Sequence, residues 1–348
     1  MCPASVVDLF CGIGGMTHGF VKEGFRVIAG IDVDPTCRYA YETNNHDVRF
    51  IERDVDGISA EDVLRLYPED DVKILVGCAP CQPFSRYTKR YAKREKKDDK
   101  WRLVGVFGRV VGEIRPDVVS MENVPELEKH AVFDGFIKTL EREGYHIWYD
   151  IVACADYGVP QMRRRLVLLA STLGSINLDP RTRKKAKTVR QTIGSLPPLR
   201  AGESSPQDPV HRASGLSELN LHRIRSTPEG GSWKDWPQEL ILECHKKDSG
   251  RSYGSIYGRM WWDKIAPTIT TEFHGIGNGR FGHPDQDRAI SLREGALLQT
   301  FPQSYEFVEE GENFAIGTIA KHIGNAVPVL LGRAVAKSIK KHLEEYND

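Results

Sequence analysis

Apolar and polar positions along the first third of the chain fall into blocks that switch between two periods. Ser5-Val6-Val7-Asp8-Leu9-Phe10 is a short apolar run of strand character, stopped by Cys11-Gly12-Ile13-Gly14-Gly15; a helical pattern follows through about Glu23. Phe25 to Ile31 predicts the next strand, ending at Asp32, and Pro35 opens a helix at its first position, where a missing N–H costs little. Asp71–Gly77 and Asp117–Met121 predict further strands, with a helix near Val132–Glu143 and a strand pair at His146–Ala153 and Arg165–Ala170. Strands alternating with amphipathic helices form a parallel sheet covered on both faces, so the fold class is α/β with a doubly wound, mostly parallel sheet. After Ser171 the periodicity fades, and the stretch to about Trp262 is rich in Pro, Gly, Ser and Arg. Helices are expected again at Ser291–Phe301 and in an amphipathic closing segment, Val327–Glu345. The expected division is 1–180, completed by 313–348, with a smaller irregular domain at 181–312.

Composition narrows the classes. With 348 residues, 40% apolar and 28% charged, the chain suits one large or two modest globular domains. No run reaches the length of a membrane span and no signal segment opens the chain, so no membrane partner is expected. The seven cysteines (Cys2, Cys11, Cys37, Cys78, Cys81, Cys154, Cys244) are odd in number and scattered, which suits a reducing cytoplasm. A second pair of Cys or His that would close a zinc site around Cys78 and Cys81 is missing, so no metal is expected. Net charge is zero, yet Arg86–Arg102 holds nine Lys/Arg against three acids and Arg181–Arg190 holds six against none. Each block alone fits a solvated face. Two in a neutral chain imply a directional field of the kind phosphate binding needs.

Candidate chemistry sits at strand ends, where ligands of open α/β sheets bind. Pro80 and Cys81 follow the strand Asp71–Gly77 in a Pro-rich loop; Cys81 fits a nucleophile or, with Cys78, half of a metal or redox pair. Gly12, Gly14 and Gly15 permit positive φ and close approach of a ligand to the backbone, ahead of a helix start that offers unpaired N–H groups. Asp32 lies where a ribose-binding carboxylate belongs, or caps the segment after Pro35. Asp54 pairs with an adenine amine or starts a turn. Together these favour an adenosine-bearing cofactor. Glu122, at the end of the next strand, is placed to face Cys81 and, if partly buried, to hold a proton near neutrality. Alternation along an extended segment puts Arg163 and Arg165 on one face, as a phosphate or carbonyl clamp or as surface charges.

Six runs in this order resemble the DNA (cytosine-5)-methyltransferase family: Asp8-Leu9-Phe10-Cys11-Gly12-Ile13-Gly14-Gly15, Pro80-Cys81-Gln82, Glu122-Asn123-Val124, Gln161-x-Arg163-x-Arg165, Ser291 to Pro302, and Ile323-Gly324-Asn325-Ala326-Val327-Pro328. The matches span nearly the whole chain, leaving about 200–262 without a counterpart. The resemblance implies a Rossmann-like S-adenosylmethionine-dependent fold with a target-recognition domain. It implies Cys81 as nucleophile at cytosine carbon 6, Glu122 at ring nitrogen 3, and Arg163 and Arg165 at the base carbonyl and backbone. It implies Phe10 on the adenine of S-adenosylmethionine, Asp32 on the ribose, Asp54 near the amine, and Gly12, Gly14, Gly15, Pro80 and Asn325 elsewhere in the cofactor site. Asp32 stands where many relatives carry Glu, one methylene longer. The basic run Ser85–Arg102 resembles the loop that closes behind a flipped base. Double-stranded DNA is the implied partner. A monomer is expected, in a prokaryotic cytoplasm and nucleoid-associated through DNA, as a stand-alone enzyme paired with a restriction endonuclease or as an orphan. A tRNA cytosine methyltransferase shares this chemistry, but its internal Cys-Phe-Thr signature is absent. A catalytically silent DNA-binding paralogue would leave Cys81, Glu122 and the arginine pair without a task. A nicotinamide oxidoreductase would account for the glycine turn and leave Pro80-Cys81-Gln82 idle. The DNA sequence recognised is not legible.

Overall fold

The structure, a computed structural model, describes residues 3–80, 101–179, 185–247 and 254–347. The chain divides into two compact units: Met1–Ala153 with Arg164–Arg181 and Val329–Asp348, and Cys154–Arg163 with Thr182–Pro328. Set against the sequence division at 180 and 312, the second unit takes in 154–163 and runs to 328.

The first unit is built on seven strands: β1(Ala4–Leu9), β2(Arg26–Asp32), β3(Arg49–Glu52), β4(Val72–Gly77), β5(Val118–Asn123), β6(His146–Ala153) and β7(Arg164–Ser171), in the order β3-β2-β1-β4-β5-β7-β6. All neighbours pair in parallel except β7, which runs antiparallel to both β5 and β6. The strand order reverses between β1 and β4, the switch point at which open α/β sheets bind ligands. The expected doubly wound, mostly parallel sheet is present.

Helices α1(Gly15–Lys22), α2(Arg38–Asn44), α3(Ala60–Leu64), α4(Arg102–Ile114) and α5(Ala131–Arg142) connect the strands, and the helix Val329–Asn347 closes the unit. Period-2 alternation puts Val7, Leu9, Leu75, Val119 and Met121 on one face, packed with Val104, Phe107 and Val111 of α4 and Phe133, Phe136 and Leu140 of α5. Three elements of this unit depart from the sequence pattern; one is α3, whose five residues are too few to show a period. β3 is absent from the pattern, because four residues with charged ends carry little strand signal. α4 is absent too; its β-branched residues and three glycines disfavour a helix intrinsically, and burial of its apolar stripe overrides that preference.

Helix α1 crosses the closing helix at contact distance. A Cβ on Gly19 would lie 2.6 Å from the Gly332 carbonyl carbon and 2.7 Å from the Arg333 nitrogen, backbone atoms that have no rotamer to give. Gly19→Ala should therefore cost about 1–3 kcal/mol through overpacking. A lowered thermal midpoint by circular dichroism, with an unchanged folded spectrum, is the expected result; an unaltered midpoint would contradict the crossing.

The second unit is poor in regular structure. It holds helices Val189–Ile193, Glu218–Arg225, Glu243–Lys246, Leu292–Leu298 and Ile316–Asn325, and a hairpin of Ser204–Ser205 with Asp208–Arg212. Arginines replace a sheet as organisers of its loops. Arg259 donates to the carbonyls of Thr227, His283, Gln286 and Ile224, and Arg280 to those of Gly230 (a short contact), Gly231 and Arg259. Fully buried Arg288 and Glu294 pair bidentately at 2.7 and 2.8 Å. Among the described residues, no helix is long and apolar enough to cross a membrane.

Candidate active site

The carboxyl end of β1 turns sharply. Phe10 leaves the strand at φ +61°, and its amide and that of Cys11 both donate to the Ile31 carbonyl of β2, at 2.8 and 3.2 Å. Gly12 follows at φ +50°, and a Cβ built there meets nothing within 4 Å, so the backbone is open to a ligand. Gly14 at φ +81° is the N-cap of α1 and supplies no side-chain cap; of the first-turn amides, that of Thr17 bonds the Asp8 carboxylate. Gly15 begins the helix and is buried. This open backbone ahead of the helix fits an adenosyl cofactor that carries a carboxylate.

Asp32 closes the turn from β2. Its Oδ2 accepts from Gly12 N and its Oδ1 from Asp34 N, both at 2.9 Å, so it organises the turn while keeping lone pairs for hydroxyls. Burial raises its pKa, against the lowering effect of those amides. The cap of the segment at Pro35 is instead Asp34, whose side chain accepts from Thr36 N. Asp54 is exposed and accepts from Asp56 N at 3.0 Å, starting the short turn of helix Val55–Gly57.

Beyond β4, the segment Cys78–Pro80 stays tied to the sheet. Cys78 N donates to Leu9 O at 3.3 Å. Asn123 at the end of β5, 4% exposed, donates from Nδ2 to the Ala79 carbonyl at 2.9 Å and accepts from Val124 N at 2.8 Å. Asn123 belongs to the motif Glu122-Asn123-Val124, but the sequence alone assigns it no role. Pro80 is half-buried, and Cys81 lies outside the described residues, as does most of the basic run Ser85–Arg102. Burial and the nearby Glu122 push the Cys78 thiol well up, so it stays protonated and is a poor metal ligand.

Glu122 and Arg165 meet across the β5–β7 pair, Nε to Oε1 at 2.8 Å, with side chains 13% and 8% exposed for arginine and glutamate. Among the described residues, no N–H meets Oε1 in hydrogen-bonding geometry, so this buried ion pair leaves acceptor capacity on the carboxylate. Arg163, like Arg165, is withdrawn from solvent, while Arg164 between them is exposed. Arg163 belongs to the second unit, is 2% exposed, and donates to the carbonyls of Ile269 at 3.0 Å and Ala326 at 3.4 Å. Gln161 beside it is fully buried and satisfied by Leu298 O, Gln299 Oε1 and Ile269 N. Asn325 is exposed and ends the helix Ile316–Asn325 of that unit.

A switch-point crevice with an open glycine turn, a carboxylate at the second strand end and a buried Glu–Arg pair defines an enzyme of the nucleotide-cofactor α/β class. Its family follows from comparison. The profile of C-5 cytosine-specific DNA methylases matches residues 4–341, and the chain belongs to that family. It is 55% identical over 345 residues to the Type II methylase M.HgiDII of Herpetosiphon aurantiacus, covering 98% of this chain and 96% of that protein. It is 31% identical over 339 residues to the Type II methyltransferase M1.HphI of Haemophilus parahaemolyticus, covering 96% and 86%. A solved candidate DNA modification methyltransferase from an E. coli prophage shares the fold with a TM-score of 0.74 at 19% identity, covering 98% and 99%. The chain is thus a DNA cytosine-5 methyltransferase of the kind found in restriction–modification systems, a family that uses S-adenosylmethionine.

Proposed function

We propose that the protein methylates carbon 5 of a flipped-out cytosine in a specific duplex sequence through a transient Cys81 adduct, and protects DNA from a cognate restriction endonuclease. The observation that carries this is the buried Glu122–Arg165 pair at the β5 end, with neighbouring Asn123 anchoring the Ala79 carbonyl just ahead of Pro80 and Cys81. Carbon 5 of cytosine is a weak nucleophile, and thiolate addition at carbon 6 makes it enamine-like. A free cysteine is only a few per cent thiolate at neutral pH, so the site must favour ionised Cys81. Glu122 hydrogen-bonds or protonates ring nitrogen 3 as charge builds there, with Arg165 holding the carboxylate in line and reaching the base carbonyl. When bound, S-adenosylmethionine supplies an electrophilic methyl group to carbon 5. A base then removes the carbon-5 proton, the carbon–sulfur bond breaks, and Cys81 is released.

Around the cofactor, Phe10 stacks on the adenine, Asp32 takes the ribose hydroxyls, Asp54 lies near the amine, and the Gly12–Gly15 backbone takes the carboxylate. Pro80 completes the lining. Arg163 serves by holding the Ile269 and Ala326 loops of the second unit. That unit, in place of the 181–312 segment alone, is the target-recognition domain, and a monomer in the cytoplasm acts on double-stranded DNA. Flipping the base costs a few kcal/mol, met by contacts in the flipped state.

A duplex carrying 5-fluorocytosine at the target blocks the final proton removal and freezes the adduct. Incubation with S-adenosylmethionine should give a crosslinked species that mass spectrometry places on Cys81. A crosslink on another residue, or none on a duplex that the enzyme methylates when unmodified, would overturn the covalent route.

A further inference from the structure

One buried acid in the first unit has no part in the chemistry above. Asp8, next to last in β1, is 1% exposed. Its Oδ2 accepts from the Thr17 hydroxyl at 2.7 Å, and Thr17 Oγ1 lies 2.9 Å from the Tyr41 hydroxyl. This chain of hydroxyls links α2 and the first turn of α1 to the end of β1. Its other oxygen, Oδ1, is buried and has no hydrogen-bond partner among the described residues. A buried carboxylate with one bare oxygen is costly when ionised. Burial accordingly pushes its pKa up to about 7, Asp32 adds repulsion, and the Thr17 bonds oppose both.

The titratable neighbours of Asp8 lie in β2, in the glycine turn, beyond β4 and, through Thr17, at Tyr41 of α2. Asp32 acts from β2, the Cys11 thiol from the turn and the Cys78 thiol from beyond β4; burial keeps both thiols protonated. Arg165 also acts on Cys78 but is paired with Glu122. Asp8 and Asp32 thus bracket the glycine turn, one bound to the first turn of α1 through Thr17 and the other bound to Gly12 N. A positive charge seated on that turn favours both carboxylates.

We infer that Asp8 is a positioning residue for the cofactor turn, and that seating a cationic adenosyl cofactor there expels a proton from its carboxyl group. The inference rests on the proposed seating of S-adenosylmethionine, which carries a sulfonium and an ammonium against one carboxylate. The bond broken is the carboxyl O–H; the proton leaves to solvent and the carboxylate stays bound to Thr17. The demethylated product lacks the sulfonium charge and expels less.

Calorimetric titration of the full chain with S-adenosylmethionine at pH 7, in two buffers of different ionisation enthalpy, counts the protons released. The wild type should release up to about half a proton, and its affinity should rise about five-fold between pH 6 and 8. Asp8→Asn keeps an acceptor for Thr17 and should bind cofactor with that release abolished. Release unchanged in this variant would assign the proton to Asp32 and overturn the inference. No binding heat from the wild type in either buffer would instead sink the cofactor seating, and the inference with it. Should Asp8→Asn fail to fold, Thr17→Val carries the test. Losing the bond that lowers the Asp8 pKa should move maximal release to higher pH, and an unmoved maximum overturns the inference.

Discussion

Replacing Cys81 with alanine should abolish methyl transfer while leaving cofactor and DNA binding in place. On the proposed route carbon 5 is not activated without the sulfur, and the loss should match removal of a covalent nucleophile elsewhere, on the order of 10⁴–10⁶-fold in kcat. Glu122→Gln should cost less, roughly 10²–10⁴-fold, because a neutral amide still hydrogen-bonds but transfers no proton. The Glu122 variant should also leave Arg165 buried without its counter-charge, which Cys81→Ala does not. The two are therefore separable: Cys81→Ala should keep the wild-type melting midpoint, and Glu122→Gln should lower it. Tritiated methyl incorporation gives the rates and a melt gives the midpoints. Measurable turnover by the alanine variant would remove Cys81 from the mechanism.

In the second unit, Glu294→Gln should destabilise by about 3–5 kcal/mol. Glu294 and Arg288 are 1% and 0% exposed, and the guanidinium also donates to Leu199 O, Gln286 Oε1 and Ala289 O. Glu294 further accepts from Ser291 N at 2.6 Å, closing the capping box at the start of Leu292–Leu298. Burial alone would raise the glutamate pKa; the bidentate Arg288 bonds overcome it and hold it at about 2, against an ordinary 4.5. Since the folded value is the lower one, this stabilisation is present above pH 4.5 and is lost as pH falls from there towards 2. Urea midpoints for wild type and variant should differ at pH 7 and converge as the solution is acidified through that window. Replacing both partners by apolar residues of similar volume should recover much of the loss, because the large term is the stranded charge. Equal midpoints at pH 7 would show the pair to be dispensable.

Most strands of the sheet were legible because alternation and apolar runs report burial directly. β1, β2, β4, β5, β6 and β7 fall within one or two residues of their expected ends. Helix α4 was hidden because its stability comes from partners such as Phe136, brought near only by the sheet. At the site, the order of motifs marked Glu122 and Arg165 because they end adjacent strands. Arg163 and Arg165 are withdrawn from solvent on either side of exposed Arg164, as alternation has it; what alternation does not report is that Arg163 commits its guanidinium to carbonyls. Arg259, Arg280 and Arg288 likewise show no such commitment in sequence, and only the structure shows them engaged with their own loops. Asn123 and Asp8 carried no signal beyond membership of a motif, because a hydrogen bond to a carbonyl or to a distant hydroxyl leaves no pattern in composition.

Because Gln161 and Arg163 grip Ile269, Leu298 and Ala326 through main-chain atoms, these clasps are indifferent to which side chains those positions carry. Recombination could then exchange the intervening sequence wholesale and keep the clasps, provided the backbone path is retained. The ten residues of Cys154–Arg163 thus act as a socket, and the side chains between its contact points are free to vary without loosening it.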